Sequence, residues 1–167
     1  DSVQITNSGD LPLQPSVQVH LLDSLGNQLS DHWGHLWKSN QTDSDLQFKW
    51  IDIQVAENLI TQGPADDTNW GPFPLDFSFP FYGRTFNSLR ICSNGFVSFT
   101  SPSAERNNTS LPNASGRFNL IAPFWDDLLL SDSSKIYFKS SEDSAVVSFV
   151  NLSRFPGTGN YTFQVVL

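Results

Sequence analysis

The clearest signal along the chain is an alternation of apolar and polar positions. Leu75, Phe77, Phe79 and Phe81 alternate with Asp76, Ser78 and Pro80. A period of two gives one buried and one wet face and predicts a strand over 75–81. Pro80 has no amide N–H, so this strand should end at a sheet edge or a bend. Residues 88–93 and 96–99 are two further apolar-alternating runs separated by Asn94-Gly95. That dipeptide in that setting predicts a hairpin of the two-residue form, with positive φ at both turn positions. Asn119–Phe124 reads as a short strand, Lys135–Lys139 and Ala145–Val150 as a hairpin across Ser140–Ser144, and Tyr161–Leu167 as a last strand. Trp50–Val55 also alternates. The polar, Pro- and Gly-bearing stretches 101–117 and 154–160 read as surface loops.

The N-terminal third differs. Val3–Thr6 and Val17–Leu22 suggest a small strand unit; Val17–Asp31 is the best helix candidate, but Gly26-Asn27 interrupts it. Residues 23–47 are polar and weakly periodic, which sets a boundary near residue 45. The expected organisation is a strand annex over 1–45 and a sandwich over 46–167. About ten short strands with closely spaced turns predict an all-β, antiparallel β-sandwich, jelly-roll or immunoglobulin-like in character, with a closed barrel as the alternative.

Composition narrows the function. Leu, Ile, Val and Phe make up 49 of the 167 residues, above the roughly one-fifth typical of disordered chains. The formal net charge is −8 and the pI about 4.5, which argues against nucleic acid or an anionic membrane surface as the main partner. No apolar run is long enough for a membrane span. The absence of Met points to a processed product or an excised piece. The single cysteine, Cys92, excludes an internal disulfide framework and a multi-cysteine zinc site.

Several phrases stand in a definite order: Trp50-Ile-Asp-Ile53, Asp66-Asp67, Gly71-Pro-Phe-Pro-Leu-Asp-Phe-Ser-Phe-Pro-Phe-Tyr-Gly83, Ser93-Asn-Gly-Phe-Val-Ser-Phe99, Asn119-Leu-Ile-Ala-Pro-Phe-Trp-Asp-Asp-Leu128 and Tyr161-Thr-Phe-Gln-Val-Val-Leu167. Together, over about residues 48–167, they resemble a β-sandwich accessory module of large secreted bacterial proteins, often proteases. They are more distantly similar to the extracellular domain of nidogen-type proteins, the NIDO domain. Ile5-Thr-Asn-Ser-Gly-Asp-Leu-Pro-Leu13 resembles the opening of an immunoglobulin-like module. The resemblance implies a secreted or cell-surface, non-catalytic accessory, adhesion or structural module of a larger protein, and carries no catalytic residue. In the related pattern the last strand is followed by another. Phe163, Val165 and Leu167 are therefore expected to form an edge open to strand addition, filled by a protein partner or another segment of the same precursor.

The candidate chemistry is sparse. No Gly-x-Ser-x-Gly elbow accompanies the serines. His32 and His35 offer two imidazoles at a spacing that matches no standard zinc site. The acid pairs are better placed. Asp66 and Asp67 sit in a loop, and Asp126 and Asp127 follow a strand end. Calcium takes about six to eight oxygens, which loops supply well, so each pair is a candidate Ca²⁺ site, weighed against a plain role in capping turns. Trp33, Trp37 and Trp70 lie in or near loops and are candidate sugar-stacking rings, which leaves a carbohydrate-binding module, or a fragment of a secreted hydrolase, as the alternative functions. Asn-x-Ser/Thr sequons occur at Asn40, Asn107, Asn108, Asn113, Asn151 and Asn160. They mark surface positions where the host glycosylates.

Overall fold

A computed structural model describes residues 4–7, 35–36, 38–41, 43–111 and 119–167. Two antiparallel sheets pack face to face. The strands, in chain order, are β1 (Gln4–Asn7), β2 (Leu59–Gln62), β3 (Asn69–Phe81), β4 (Arg84–Cys92), β5 (Phe96–Ser98), β6 (Leu120–Ile121), β7 (Leu128–Leu129), β8 (Lys135–Ser140), β9 (Ala145–Arg154) and β10 (Thr158–Val166). The larger sheet runs β1-β10-β9-β8-β2, with β7 also paired to β9; the smaller runs β3-β4-β5-β6. The arrangement is the expected β-sandwich, not a closed barrel.

The alternation read from the sequence is the core itself. Leu75 and Phe79 on β3 are buried, whereas Asp76, Ser78 and Pro80 are exposed. Pro80 lies on the edge strand of its sheet, where its missing N–H leaves no central ladder bond unmade. One continuous core joins Leu89, Ile91, Val97 and Phe99 of the smaller sheet to Ile136, Val147, Phe149, Phe163 and Val165 of the larger. Phe149 and Phe163 stack with ring centroids 4.6 Å apart. Fully burying one such side chain contributes roughly 1.5–3 kcal/mol. The Lys38–Asp43 ion pair lies at the surface, where water and salt screen it, so the aromatic core, not surface charge, holds the sheets together.

Four readings need correction. Trp50–Val55 is not a strand. It runs as an extended strap that seats Ile53 with Tyr137 and Val146, against Ile51, Leu59, Val150 and Val166, on the outer face of the larger sheet. The strap is held by Gln164. Its Oε1 accepts from Ile51 N (3.1 Å) and its Nε2 donates to Ile51 O (2.7 Å) and Ser148 Oγ (2.7 Å). Strand β2, Leu59–Gln62, shows no alternation of buried and exposed positions that would mark it in the sequence. The hairpin at Asn94-Gly95 exists, but with a three-residue loop: Cys92 pairs with Phe96, Gly95 N donates to Cys92 O, and only Gly95, at φ 78°, is left-handed. Finally, β10 is no open edge. Gln4–Asn7, within the expected annex, pairs antiparallel along it, with Ile5 opposite Val165 and Asn7 opposite Phe163. Phe163, Val165 and Leu167 all lie in the core. An alternating apolar strand looks the same whether its edge is free or paired by a segment some 150 residues away. The helix candidate 17–31 lies outside the described residues.

Gly95 is required twice over. It takes a positive φ, and a Cβ there would collide with the Phe124 carbonyl oxygen and approach Leu128 Cδ1 to 2.9 Å. Gly63 has a similar φ, 83°, with nothing within 4 Å of an added Cβ. Gly95→Ala is therefore expected to cost about 3–5 kcal/mol and Gly63→Ala about 1–2 kcal/mol. Urea unfolding of the two variants checks the difference; equal losses would refute the packing argument.

Candidate functional site

The β4–β5 turn lies at one end of the sandwich, and three stretches of chain close over it. Ser93 and Asn94 are fully buried although both are polar turn residues, so each of their groups needs a partner. Ser93 N donates to Thr68 O, and Thr68 N donates to Ser93 Oγ. Asn94 Nδ2 donates to Asp67 Oδ1 and to Ala104 O, both at 2.9 Å, while its Oδ1 accepts from Leu128 N at 2.9 Å. One carboxamide thus ties together the 66–68 loop, the start of the 101–111 loop and the entry to β7.

The 101–117 stretch reads from the sequence as a long surface loop, and its described part, 101–111, is partly pinned. Asn69 Nδ2 donates to Ser103 O, Trp125 Nε1 to Glu105 O, and Asn108 Nδ2 to Trp125 O. Trp125 is buried with Phe96 and Cys92. Cys92 is fully buried, and that burial pushes its thiol up to about 12. It stays protonated at neutral pH and is a poor nucleophile.

At this corner, among the described residues, Asp66, Asp67 and Asp127 each place a ligand atom within 4.8 Å of the others. The sequence offers two acid pairs some sixty residues apart; the fold brings one pair and half of the other to a single point. Asp126 is drawn away to Arg154, with Nε–Oδ2 2.7 Å. Asp67 takes φ 43° and meets Arg106 Nη1 at 3.4 Å. Asp127 Oδ1 is buried with no hydrogen-bond partner. Removal from water raises the Asp127 carboxyl above its ordinary 3.8; Arg106 opposes this, and Asp66, Asp67 and Asp126 add to it. Three oxygen donors with one buried, undonated carboxylate oxygen match the preference of a hard cation such as Ca²⁺.

The other sequence candidates fare differently. Trp70 is half-buried and packs against the main core, which leaves less of its ring to stack on a sugar. Trp33, Trp37, His20 and His32 lie outside the described residues. His35 packs against Tyr82, ring centroids 4.8 Å apart. The residues that sequence reasoning missed are Ser93 and Asn94 as buried connectors. A turn dipeptide looks alike in the open or beneath three loops, and no local signal distinguishes them.

Residues 41–167 match the family model described as NIDO related. Domains of this family are typically extracellular and in general non-enzymatic. No solved structure matches the chain. No helix among the described residues is long and apolar enough to cross a membrane.

A carboxyl whose folded value lies above its unfolded one stabilises the fold when protonated. That contribution is present below about pH 4, near the ordinary carboxylate value, and is lost as pH rises through the folded value. Asp127→Asn cannot ionise. In calcium-free buffer its stability relative to wild type should rise between pH 4 and pH 7, followed by urea midpoints across that range. A constant difference would show that the burial of Asp127 carries no electrostatic cost.

Proposed function

Because this chain belongs to the NIDO-related family, we propose that it is a non-catalytic extracellular accessory module, which fixes neighbouring parts of a larger secreted or surface protein. The observation that carries this reading is the use of the polar groups at the sandwich end. Ser93, Asn94, Asn69, Asn108 and Trp125 all direct their side chains to main-chain partners. Such groups are committed to shape, whereas a catalytic pair needs a side chain able to exchange a proton with substrate. The one thiol is buried and protonated. Contact falls to exposed apolar residues on the loops, among them Leu111 in the 101–117 loop and Phe155, 59% exposed, in the 154–160 turn. The purified chain should turn over none of a panel of peptide, ester and glycoside substrates, and should bind no sugar on a glycan array. Turnover that co-purifies with the chain and disappears on Asn94→Ala, with the fold retained by circular dichroism, would overturn the reading.

A second reading concerns the same corner and is favoured by Asp127 Oδ1, buried without a donor. Ca²⁺ held by Asp66, Asp67 and Asp127 would supply the missing partner and clamp the 66–68 loop to the entry of β7. A ligand at ten times its Kd stabilises the fold by about 1.4 kcal/mol. Calcium should therefore raise the melting temperature saturably over a chelated sample, and the rise should vanish in Asp127→Asn. An unchanged melting temperature at millimolar calcium refutes the site.

A further inference from the structure

The sequons are the motif that the module reading leaves unused. Six of the thirteen Asn residues are followed two positions later by Ser or Thr, with no proline between. Ser and Thr make up 32 of the 167 residues, so chance would place about two or three of the thirteen in sequons. The fold sorts them. Asn40, Asn107, Asn108 and Asn160 are exposed, and Asn151 is half-buried. Asn113 lies outside the described residues.

We propose that Asn40, Asn107 and Asn160 carry N-linked glycans, and that Asn151 does not. The proposal rests on the extracellular reading, since it requires passage through a glycosylating secretory route. In the transfer the carboxamide nitrogen displaces pyrophosphate at C1 of a polyprenyl-pyrophosphate-linked oligosaccharide. A C1–Nδ2 bond forms, the C1–O bond to phosphate breaks, one carboxamide proton passes to a base, and the prenyl pyrophosphate leaves.

The local hydrogen bonding decides between neighbours. A glycosylated Asn keeps one Nδ2–H. Asn107 uses one such bond, to Glu105 Oε1 at an exposed site (2.9 Å); Asn108 uses one in a part-buried site, to Trp125 O (2.9 Å). Both can keep their bond, but adjacent asparagines cannot hold two bulky glycans side by side. The glycan falls to Asn107, whose carboxamide stands further into solvent. Asn160 is the last of the three exposed residues that open β10, Thr158–Asn160, where the pairing with β9 shifts register. Asn151 sits at φ 58°. Its N donates to Thr162 Oγ1 (3.0 Å) and its carbonyl accepts from Ser134 Oγ (2.6 Å). Asn151 is half-buried on a central strand, β9, between β8 and β10, and is less open to the transferring enzyme than the exposed three.

The test is to express the whole chain behind a heterologous secretory leader in cultured animal cells, in an Asn113→Gln background. Both medium and microsomes are analysed, so that retention does not hide modification. Gel mobility should shift on treatment with peptide N-glycosidase, and peptide mapping should find the resulting Asn-to-Asp conversion at 40, 107 and 160. Asn40→Gln, Asn160→Gln and the double change Asn107→Gln with Asn108→Gln, which stops the glycan moving to the neighbouring sequon, should each remove one step of the ladder. A mobility that the glycosidase leaves unchanged overturns the proposal, as does conversion at 151 in place of the exposed three. Because the leader is supplied, such a failure would count against the sites and leave the natural location of the chain a separate question.

Discussion

The sandwich end is organised around one buried carboxamide. Asn94 lies at the tip of a hairpin, a place that ordinarily faces water, yet it is fully enclosed. A buried amide left without partners costs about 1–3 kcal/mol. Here its donors and its acceptor are matched by three segments distant in sequence. Gly95 beside it lets the Phe124 main chain approach where a side chain would block it. The turn and its covering loops therefore specify one another, and the acidic corner exists only because that closure brings 66–67 and 127 together.

The other face of the molecule repeats the device. Gln164 and Ser148 are opposite one another on β10 and β9, pointing out of the sandwich core, and both are fully buried. Gln164 offers the strap at Ile51 the donor and acceptor that another peptide unit would offer. The strap in return covers Tyr137 and Val146. This explains why the first five residues of β9, Ala145–Phe149, are all buried, although their alternation alone implies one wet face.

Charge is distributed in keeping with an accessory role. Most of the described acids sit at the surface, and a net charge of −8 disfavours association with polyanions. Among the described acids Asp127 is held partly out of water beside two further carboxylates, with one carboxylate oxygen that no donor meets.

The all-β class, the inward face of β3, the β8–β9 hairpin and the presence of a turn at 93–95 are legible in the order of residues alone. These depend on the period of two and on turn chemistry, which are properties of a few adjacent residues. The sequence also marked Asp66, Asp67 and Asp127 as candidate ligands, but as members of two unrelated pairs, and it could not separate Asp126, which Arg154 draws aside. That Trp50–Val55 is a strap, that β1 closes the edge of β10, that Asn94 is buried and that three of four acids converge follows from the packed fold. Each of these is set by which distant surfaces meet when two twisted sheets pack. Local spacing carries no record of that, because a polar residue has the same neighbours in sequence whether its partner in space is water or a backbone amide.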